Sequence, residues 1–462
     1  MIFFVTLQPN LIFVFYMVSY KEKIGYALGD AAAGGIVWKM MSIAFPLFFT
    51  NIYGLTVVDA AMLMLIARLF DVVTDPMMGA IADRTQSRWG IYRPWIIFGA
   101  IPLGVVFALL FHTPDFSPEG KRVWAYTLYL LLMAIYTMVN VPYGSLLGVM
   151  TDDDDAKNQF SSYRMVGAYA MGFVTLLSFP YLQRMVGGSD ARQYSLCAVI
   201  LGSLAALMTL ACGLLTKERL KPVRADRFSL KPFADLFRNR PWVDLTLIGI
   251  CTNFFNGFRY AVAGYMLQYC IEGEVTISGL IVNYTVFMTF GEVTCMVFGG
   301  LSPRLTALAG SKRRAFSLAC LVCIISSVAY WFIPMSADYI WLMIAMVIIT
   351  SMGIGWFSPL LWSMYADVAD YATEHNGVSS TGLIFSSGTM AQKLGSAVSG
   401  SLVALLLGVA GFASSTDITG STVIQISDIE SVRRMIWALF SIIPAAIAGI
   451  MLWLVARYPI RK

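Results

Sequence analysis

The chain has 462 residues, of which 58% are hydrophobic and only 13% are charged, and its mean hydropathy is +0.71. These values lie far outside the averages of soluble proteins, so they exclude an ordinary soluble domain and predict a polytopic membrane protein. The net charge of +5 is explained below by loop topology, and it gives no reason to expect a nucleic-acid partner.

The first segment, residues 1–16, is apolar but is interrupted by Gln8, Pro9 and Asn10. It is too short to span a bilayer, and it lacks the basic start and the small-residue cleavage site of a signal peptide. We interpret it as an extension that is not native to the working protein, with Met17 as the natural start. An interfacial helix is the alternative.

Twelve apolar segments follow, each near or above the roughly 20 residues needed to cross the hydrocarbon. They cover residues 31–51, 57–82, 94–112, 123–150, 163–187, 194–216, 242–271, 277–300, 314–335, 339–366, 378–411 and 432–457. The basic, Pro-containing stretch 217–241 divides them six and six. We therefore predict an all-α fold with an N-terminal six-helix bundle (17–216), a cytoplasmic linker (217–241) and a C-terminal six-helix bundle (242–462).

Basic residues are concentrated in the loops that lie on one side of these twelve spans, together with both chain ends. Because Lys and Arg are enriched in cytoplasmic loops, this asymmetry predicts that both termini are cytoplasmic. The loops also correspond between the halves: a basic loop follows the second span of each half, and an acidic one follows the fourth. We interpret these charges as latches between the bundles rather than as independent solvated loops. The latch residues are Asp83, Arg84, Arg88, Arg93, Asp367 and Asp370.

The second span contains three charged residues, Arg68, Asp71 and Asp75. Spacings of three and four residues place them along one stripe of a helix. A charge in hydrocarbon costs roughly 3 kcal/mol even on the lenient insertion scale, and such charges usually mark an ion or substrate path. We interpret Asp71 and Asp75 as a site for a coupling cation. The alternative is an internal salt bridge with Arg68 that only fastens helices.

A second polar set suits a sugar. Tyr136, Thr137 and Asn140 lie at helical spacing in the fourth span, and Arg164 opens the fifth. Hydroxyl-rich ligands need paired donors and acceptors with an aromatic platform. Further candidates are Lys39, Arg259, Glu292, Trp356, Trp362 and Lys393. For Arg259 with Glu292 a buried ion pair is an equal alternative to a ligand role, and for a single tryptophan simple packing is the favoured interpretation.

Features of an enzyme are missing from the sequence. Its two histidines are His112 and His375, and no nucleophile–base pair, metal cluster or phosphate-binding Gly loop is found. Cys320 and Cys323 form a C-x-x-C inside an apolar segment, which favours packing. We expect a non-enzymatic protein without a cofactor.

Several motifs together resemble the glycoside-pentoside-hexuronide:cation symporters of the major facilitator superfamily. They are EKIGYALGD, FFTNIYGL, ARLFDVVTDPMMGAIADRTQSRWGIYRPW, YTMVNVPYGSL, MYADVADY and GTMAQKLGSA. The resemblance implies that Asp71 and Asp75 are the cation-binding carboxylates, with Thr74 and Thr137 at further cation positions. It also implies that Tyr136, Arg164, Thr389 and Lys393 line the sugar or coupling site.

Departures from the family pattern concern the sugar. Where melibiose permease has sugar-binding carboxylates, this chain has Gly35 (or Gly34) and Asn140, and it has Gly144 in place of a stacking Trp. With Arg164 and Lys393 retained and Lys39 added, the charge balance of the site shifts toward positive, which slightly favours a hexuronide or other acidic sugar.

The resemblance therefore predicts a Na⁺- or H⁺-coupled sugar symporter that works as a monomer in the bacterial cytoplasmic membrane. A Na⁺ ion would bind at Asp71 and Asp75. The alternatives are a neutral pentoside or glycoside symporter, a lysolipid carrier, or a non-transporting sugar sensor on the same fold.

Overall fold

The computed structural model describes residues 19–41, 45, 48–55, 57–220, 236–271, 275–277, 280–282, 284–376, 381–416 and 422–460. The N-terminal extension, the proposed start at Met17 and most of the linker 217–241 lie outside the described residues.

Helices dominate the first half of the chain. They are α1 (Tyr20–Asp30), which continues into a π-helical stretch (Ala31–Trp38), a second π-helical stretch (Phe48–Ile52), α2 (Val57–Arg84), α3 (Arg93–Leu110), α4 (Pro118–Met150), α5 (Asp154–Val186) and α6 (Asp190–Leu215).

The second half is also mainly helical and contains two short β-hairpins. Its elements are α7 (Arg240–Tyr265) with a π-helical end (Met266–Cys270), β1 (Val275–Ile277), β2 (Leu280–Val282), α8 (Tyr284–Ala309), α9 (Lys312–Trp331), a 3₁₀ turn (Ala337–Tyr339), α10 (Ile340–Asn376), α11 (Thr381–Val409), β3 (Phe412–Thr416), β4 (Thr422–Ile426), α12 (Ile429–Phe440) and α13 (Ile442–Arg457). Each hairpin is antiparallel.

Helical structure lies within all twelve predicted spans, and nine helices among the described residues are long and apolar enough to cross a membrane. The helices differ from these approximate spans at several ends. The first helix begins at Tyr20, eleven residues before the predicted 31, because Ser19 caps its polar first turns by accepting from the Lys21 N–H. The predicted span 277–300 begins as a hairpin, and its helix starts at Tyr284. The last span is two helices separated at Ser441.

Glycines allow close helix contacts where the two halves meet. A Cβ on Gly79 of α2 would lie 2.6 Å from the carbonyl oxygen of Gly382 on α11. Small residues of this kind let membrane helices approach backbone to backbone. Further contacts between the halves join α5 to α8 and to α10, and α4 to α11.

Gly79 should not tolerate a β-branched side chain. Gly79→Val would collide with backbone atoms of α11, which cannot turn away as a flexible side chain can, and overpacking of this kind costs about 1–3 kcal/mol. We expect a lower melting temperature for the purified protein, measured by intrinsic fluorescence. Gly449→Val in α13 is the matched control, because nothing lies within 4 Å of a Cβ there. Equal melting temperatures for the two variants would contradict this packing.

Candidate functional site

Two carboxylates and one ammonium form the centre of the site. Asp71 and Asp75 of α2 lie on either side of the Lys393 ammonium of α11, with nitrogen–oxygen distances of 2.9 and 2.8 Å. All three side chains are buried. The prediction from helical spacing therefore placed the two acids on one face correctly, and Lys393 joins them from a helix of the other half.

Hydroxyl groups surround the same carboxylates. The Thr137 hydroxyl on α4 donates to Oδ1 of Asp75 at 2.7 Å, and the Thr389 hydroxyl on α11 donates to Oδ2 at 3.3 Å. Lys393 also donates to the Thr137 hydroxyl oxygen and lies 5.9 Å from the centre of the Tyr136 ring. Both oxygens of Asp71 are buried and accept no well-aligned hydrogen bond from the described residues. A cation that binds at Asp71 would therefore compete mainly with the Lys393 ammonium, which lies 2.9 Å from Oδ1.

Arg68 forms the ion pair with Asp71 that the alternative prediction named, and the role of Thr74 at a cation position stays a prediction. The Arg68 guanidinium is 3.7 Å from Asp71 and stacks over Trp38, so Lys393 is the closer partner of the acids. The Thr74 hydroxyl donates to the Phe70 carbonyl of its own helix at 3.0 Å and is not directed at the carboxylates. Beside the acids is a cavity of about 10 Å³, lined by Arg68, Asp71, Val72, Met390, Lys393 and Leu394. That volume is near the lower limit for one water molecule.

Arg164 of α5 is paired with an acid that sequence reasoning missed. Its Nε donates to Asp30 of α1 at 2.8 Å, and its guanidinium stacks 3.8 Å from the centre of the Trp362 ring and 4.8 Å from that of Tyr143. The predicted platform Trp362 thus contacts the predicted Arg164. Asp30 ends the motif EKIGYALGD, and it was overlooked because the predicted span began at residue 31.

Gly35 lies in a contact between helices. A Cβ there would meet Met171 Cβ at 2.7 Å and the Gly172 nitrogen at 2.9 Å. The structure therefore uses Gly35 for close packing of the π-helical stretch after α1 against α5, while Gly34 lies beside the Asp30 carboxylate.

Lys39 and Glu292 form a third buried pair. The Lys39 ammonium lies 2.5 Å from Glu292 of α8, and the Tyr260 hydroxyl donates to the same carboxylate oxygen. The predicted alternative, a pair between Arg259 and Glu292, was wrong. Arg259 is buried between aromatic rings, 6.0 Å from the centre of Phe255 and 5.6 Å from that of Phe440.

Several buried polar atoms around these pairs have no hydrogen-bond partner among the described residues. They are Asn140 Oδ1, Arg164 Nη1, Glu292 Oε2 and Trp356 Nε1. Unsatisfied buried groups are uncommon in native structures, and each calls for an explanation such as a ligand or water. The set contains both donors and acceptors, as a sugar requires.

The latch residues divide into two groups. Asp83 of α2 reaches the other half, since it accepts from the backbone N–H groups of Gly382 and Leu383 at the start of α11, and it also accepts from the Tyr92 hydroxyl. A carboxylate at a helix N-terminus is favoured by the unpaired N–H groups and the helix dipole.

Asp370 of α10 also joins the halves, through an ion pair with Lys157 of α5. Asp367 pairs with Lys312 of α9 at 2.8 Å, so its contact stays within the second half. Lys157 and Lys312 were missed, because nothing in the local sequence connects them to residues 213 and 55 positions away.

The predicted basic latch residues bind within the first half. Arg84 donates to the Ala80 carbonyl, and Arg93 donates to the Gly213 carbonyl. Arg88 stacks on Trp89. Glu218, also missed, accepts from the backbone N–H groups of residues 91–93 and so fixes this loop.

Comparison with known proteins supports a transport function for the chain. The sequence profile of the family described as MFS/sugar transport protein matches residues 25–462. The inner membrane symporter YicJ of Escherichia coli K12 is 32% identical over 430 residues, which cover 93% of this chain and 89% of YicJ. The putative glycoside/cation symporter YagG of the same strain is 30% identical over 403 residues, 87% of this chain and 85% of YagG.

Solved structures support the fold alone. The crystal structure of a variant of the E. coli fucose:proton symporter FucP superposes with a TM-score of 0.64 at 11% identity, and the match covers 95% of this chain and 98% of FucP.

The Asp30–Arg164 pair should show the thermodynamics of a buried ion pair. Arg164→Met leaves Asp30 buried without its cation, and removal of one partner of such a pair costs about 3–5 kcal/mol. We expect a lower melting temperature for Arg164→Met and for Asp30→Leu. The double variant should regain much of the loss, because an apolar pair needs no charge compensation. Additive losses in the double variant would show that the two charges do not interact.

Proposed function

This chain belongs to the glycoside-pentoside-hexuronide:cation symporter family of the major facilitator superfamily, so it is a multi-pass membrane carrier and not an enzyme. We propose that it couples sugar uptake to the entry of Na⁺ or H⁺ by alternating access. The observation that carries the proposal is the buried pair Asp71 and Asp75 with Lys393 between them. A carboxylate pair in a membrane interior needs a positive partner, and in this state the partner is a side chain of the other half.

We infer that the coupling cation competes with Lys393. Two carboxylates and the hydroxyl oxygens of Thr137 and Thr389 are hard ligands of the kind that suit Na⁺, and either acid could instead take a proton. Arrival of a cation would release the ammonium from at least one acid. Lys393, now free to donate, would turn to a sugar hydroxyl or to Tyr136. By linkage, sugar must then raise cation affinity by the same factor as cation raises sugar affinity.

The proposed sugar site lies between Arg164 and Lys39. Asn140, Arg164, Glu292 and Trp356 each offer a buried polar atom with no partner among the described residues, and Trp362 offers an aromatic face already stacked on Arg164. A hydroxyl-rich ligand would satisfy these atoms. YagG is a putative glycoside/cation symporter, and a glycoside agrees with this class of ligand.

A neutral glycoside or pentoside now fits the charges better than a hexuronide. The preference for an acidic sugar depended on Arg164, Lys393 and Lys39 as excess positive charge. In the structure these cations face Asp30, Asp71 with Asp75, and Glu292, respectively. An acidic sugar would have to break one of these pairs and leave a carboxylate buried without its cation.

We propose that the end bearing Asp83 and Asp370 is the cytoplasmic one, with both termini on that side, as the distribution of basic residues predicts. The contacts of Asp83 with α11 and of Asp370 with Lys157 then keep the inner side closed. Loading of the central site would favour release of these contacts and opening inward.

A lysolipid carrier has less support. An apolar cavity of about 190 Å³ lies between α2, α7 and α11, lined by residues such as Pro76, Trp242, Leu383 and Met390. It adjoins the central site, since Met390 lines both this cavity and the one beside Asp71. The polar atoms around Asn140, however, would have no role in holding an acyl chain.

Asp75→Asn tests the coupling. Asn keeps the shape of the side chain and one acceptor oxygen, which can still accept from Thr137, but it removes one negative charge. We expect accumulation driven by an imposed Na⁺ or H⁺ gradient in proteoliposomes to fall about tenfold or more, in line with typical coupling energies of 1–3 kcal/mol. Sugar counterflow, which does not require the cation to dissociate, should be retained.

Asp115→Asn, at an exposed loop position, is the control and should behave as the unmodified protein. Undiminished accumulation by Asp75→Asn would refute cation binding at this acid. Sugar binding without counterflow in the unmodified protein would instead indicate a sensor.

A further inference from the structure

The Lys39–Glu292 pair links the two halves of the molecule. Lys39 follows the π-helical stretch after α1, and Glu292 lies on α8. The two side chains meet at 2.5 Å, and Tyr260 of α7 also donates to Glu292 at 2.5 Å. The Glu292 carboxylate is thus held in place from both halves.

The two oxygens of the Glu292 carboxylate differ in their hydrogen-bond partners. Both donors, the Lys39 ammonium and the Tyr260 hydroxyl, bind Oε1. Oε2 is buried and has no hydrogen-bond partner among the described residues, and the residue as a whole is 4% exposed. A carboxylate can accept about four hydrogen bonds, so half of its capacity is unused in a region where water cannot freely supply the remainder.

A purely structural ion pair would be expected to satisfy both oxygens. An unsatisfied charged acceptor in a low-dielectric region is costly, and natural structures retain few such groups without a ligand or a functional reason. Lys39 has unused capacity too, because an ammonium has three donor hydrogens and the Lys39 side chain is 18% exposed.

We propose that Glu292 is a substrate-binding residue, and that its free oxygen accepts a hydroxyl hydrogen of a neutral sugar while Lys39 donates to an adjacent sugar oxygen. This inference rests on the proposed function of the chain as a sugar symporter. It assigns Tyr260 a positioning role, because that hydroxyl touches only the occupied oxygen. The pair selects against sugar acids, since a substrate carboxylate beside Oε2 would be repelled by Glu292.

Binding at this pair would also close the site around the sugar. The pair already bridges the first helix of the chain and α8, so a hydroxyl shared between Lys39 and Glu292 would add bonds to both halves at once. Part of the substrate's binding energy would then favour the closed, loaded carrier, as alternating access requires.

The test uses the full chain in proteoliposomes and three probes with the same aglycone: p-nitrophenyl β-D-glucoside, β-D-xyloside and β-D-glucuronide. The first and third differ only by oxidation of the C6 position to a carboxylate. For Glu292→Gln we expect the concentration that gives half-maximal counterflow of the better neutral probe to rise roughly tenfold or more, as for the loss of a hydrogen bond to a charged group. Discrimination against the glucuronide should shrink, because the repelling charge is gone.

A double variant and a control distinguish a role in binding sugar from a role in holding the helices together. In Lys39→Met/Glu292→Met an apolar pair replaces the ion pair, which commonly restores stability lost on removal of a single partner. If the residues bind sugar, the double variant should recover its melting temperature but keep the raised half-saturation concentration. Recovery of both would show that the pair only fastens the helices. Glu430→Gln, in an exposed pair with Arg434, is the control and should leave both quantities unchanged.

The other possible outcomes test the role of Glu292 separately from the symporter function. This inference would be overturned if Glu292→Gln left the half-saturation concentration unchanged, or if the unmodified protein preferred the glucuronide. Either result would leave the symporter function intact. Loss of gradient-driven accumulation at normal half-saturation would make Glu292 a proton carrier instead. Failure of the unmodified protein to exchange any of the three probes would count against the proposed function itself.

Discussion

The ammonium of Lys393 between Asp71 and Asp75 is the contact on which the central site depends. Two carboxylates one helical turn apart in a membrane interior repel each other and lose most of their hydration, so they remain ionised only with a cation beside them. Lys393 supplies that cation from α11, and it thereby ties α11 to α2. The strongest local interaction is thus also a contact between the two halves, and any ion that replaces the ammonium must change how the halves are held together.

The other buried pairs extend the same constraint. Lys39 with Glu292 joins the first helix of the chain to α8, whereas Arg164 with Asp30 joins two helices of the first half. A buried ion pair adds little net stability compared with an apolar pair, but loss of one partner is severe. Such pairs therefore act well as switches: they hold one arrangement until an incoming charge or hydroxyl group offers an equivalent partner. A carrier needs bonds of this kind, because a substrate can replace one partner of an ion pair. A purely apolar interface has no polar partner that a substrate could replace.

Sequence reasoning succeeded where the signal was local. Hydropathy located helical structure in each span, and the three- and four-residue spacing placed Asp71 and Asp75 on one face. It failed where a partner lies far along the chain: nothing near Glu292 indicates Lys39, which is 253 positions away, and Arg259 was the only partner considered for Glu292. Asp30 was missed because the predicted span began at residue 31. The first turns of α1, YKEKIGYALGD, are polar, so hydropathy does not indicate that the helix begins there. Thr74 satisfies its hydroxyl within its own helix, a choice that motif matching cannot reveal.

The same two helices connect the central site to the closed end. On α2, Asp83 follows Asp75 by two helical turns, about 12 Å at 1.5 Å per residue, and on α11 the backbone N–H of Gly382 lies about 16 Å from Lys393 by the same measure. Asp83 binds that N–H, and Gly79 packs directly against Gly382. Pro76 lies in α2 between these two levels and removes one backbone hydrogen bond there, whereas α11 has no proline between Gly382 and Lys393. We therefore expect a shift of α11 relative to α2 at Lys393 to reach the Asp83 contact mainly through α11. The proposed coupling between ion binding and the latch then needs no chain of intermediate side chains, because α2 and α11 are in contact at both levels.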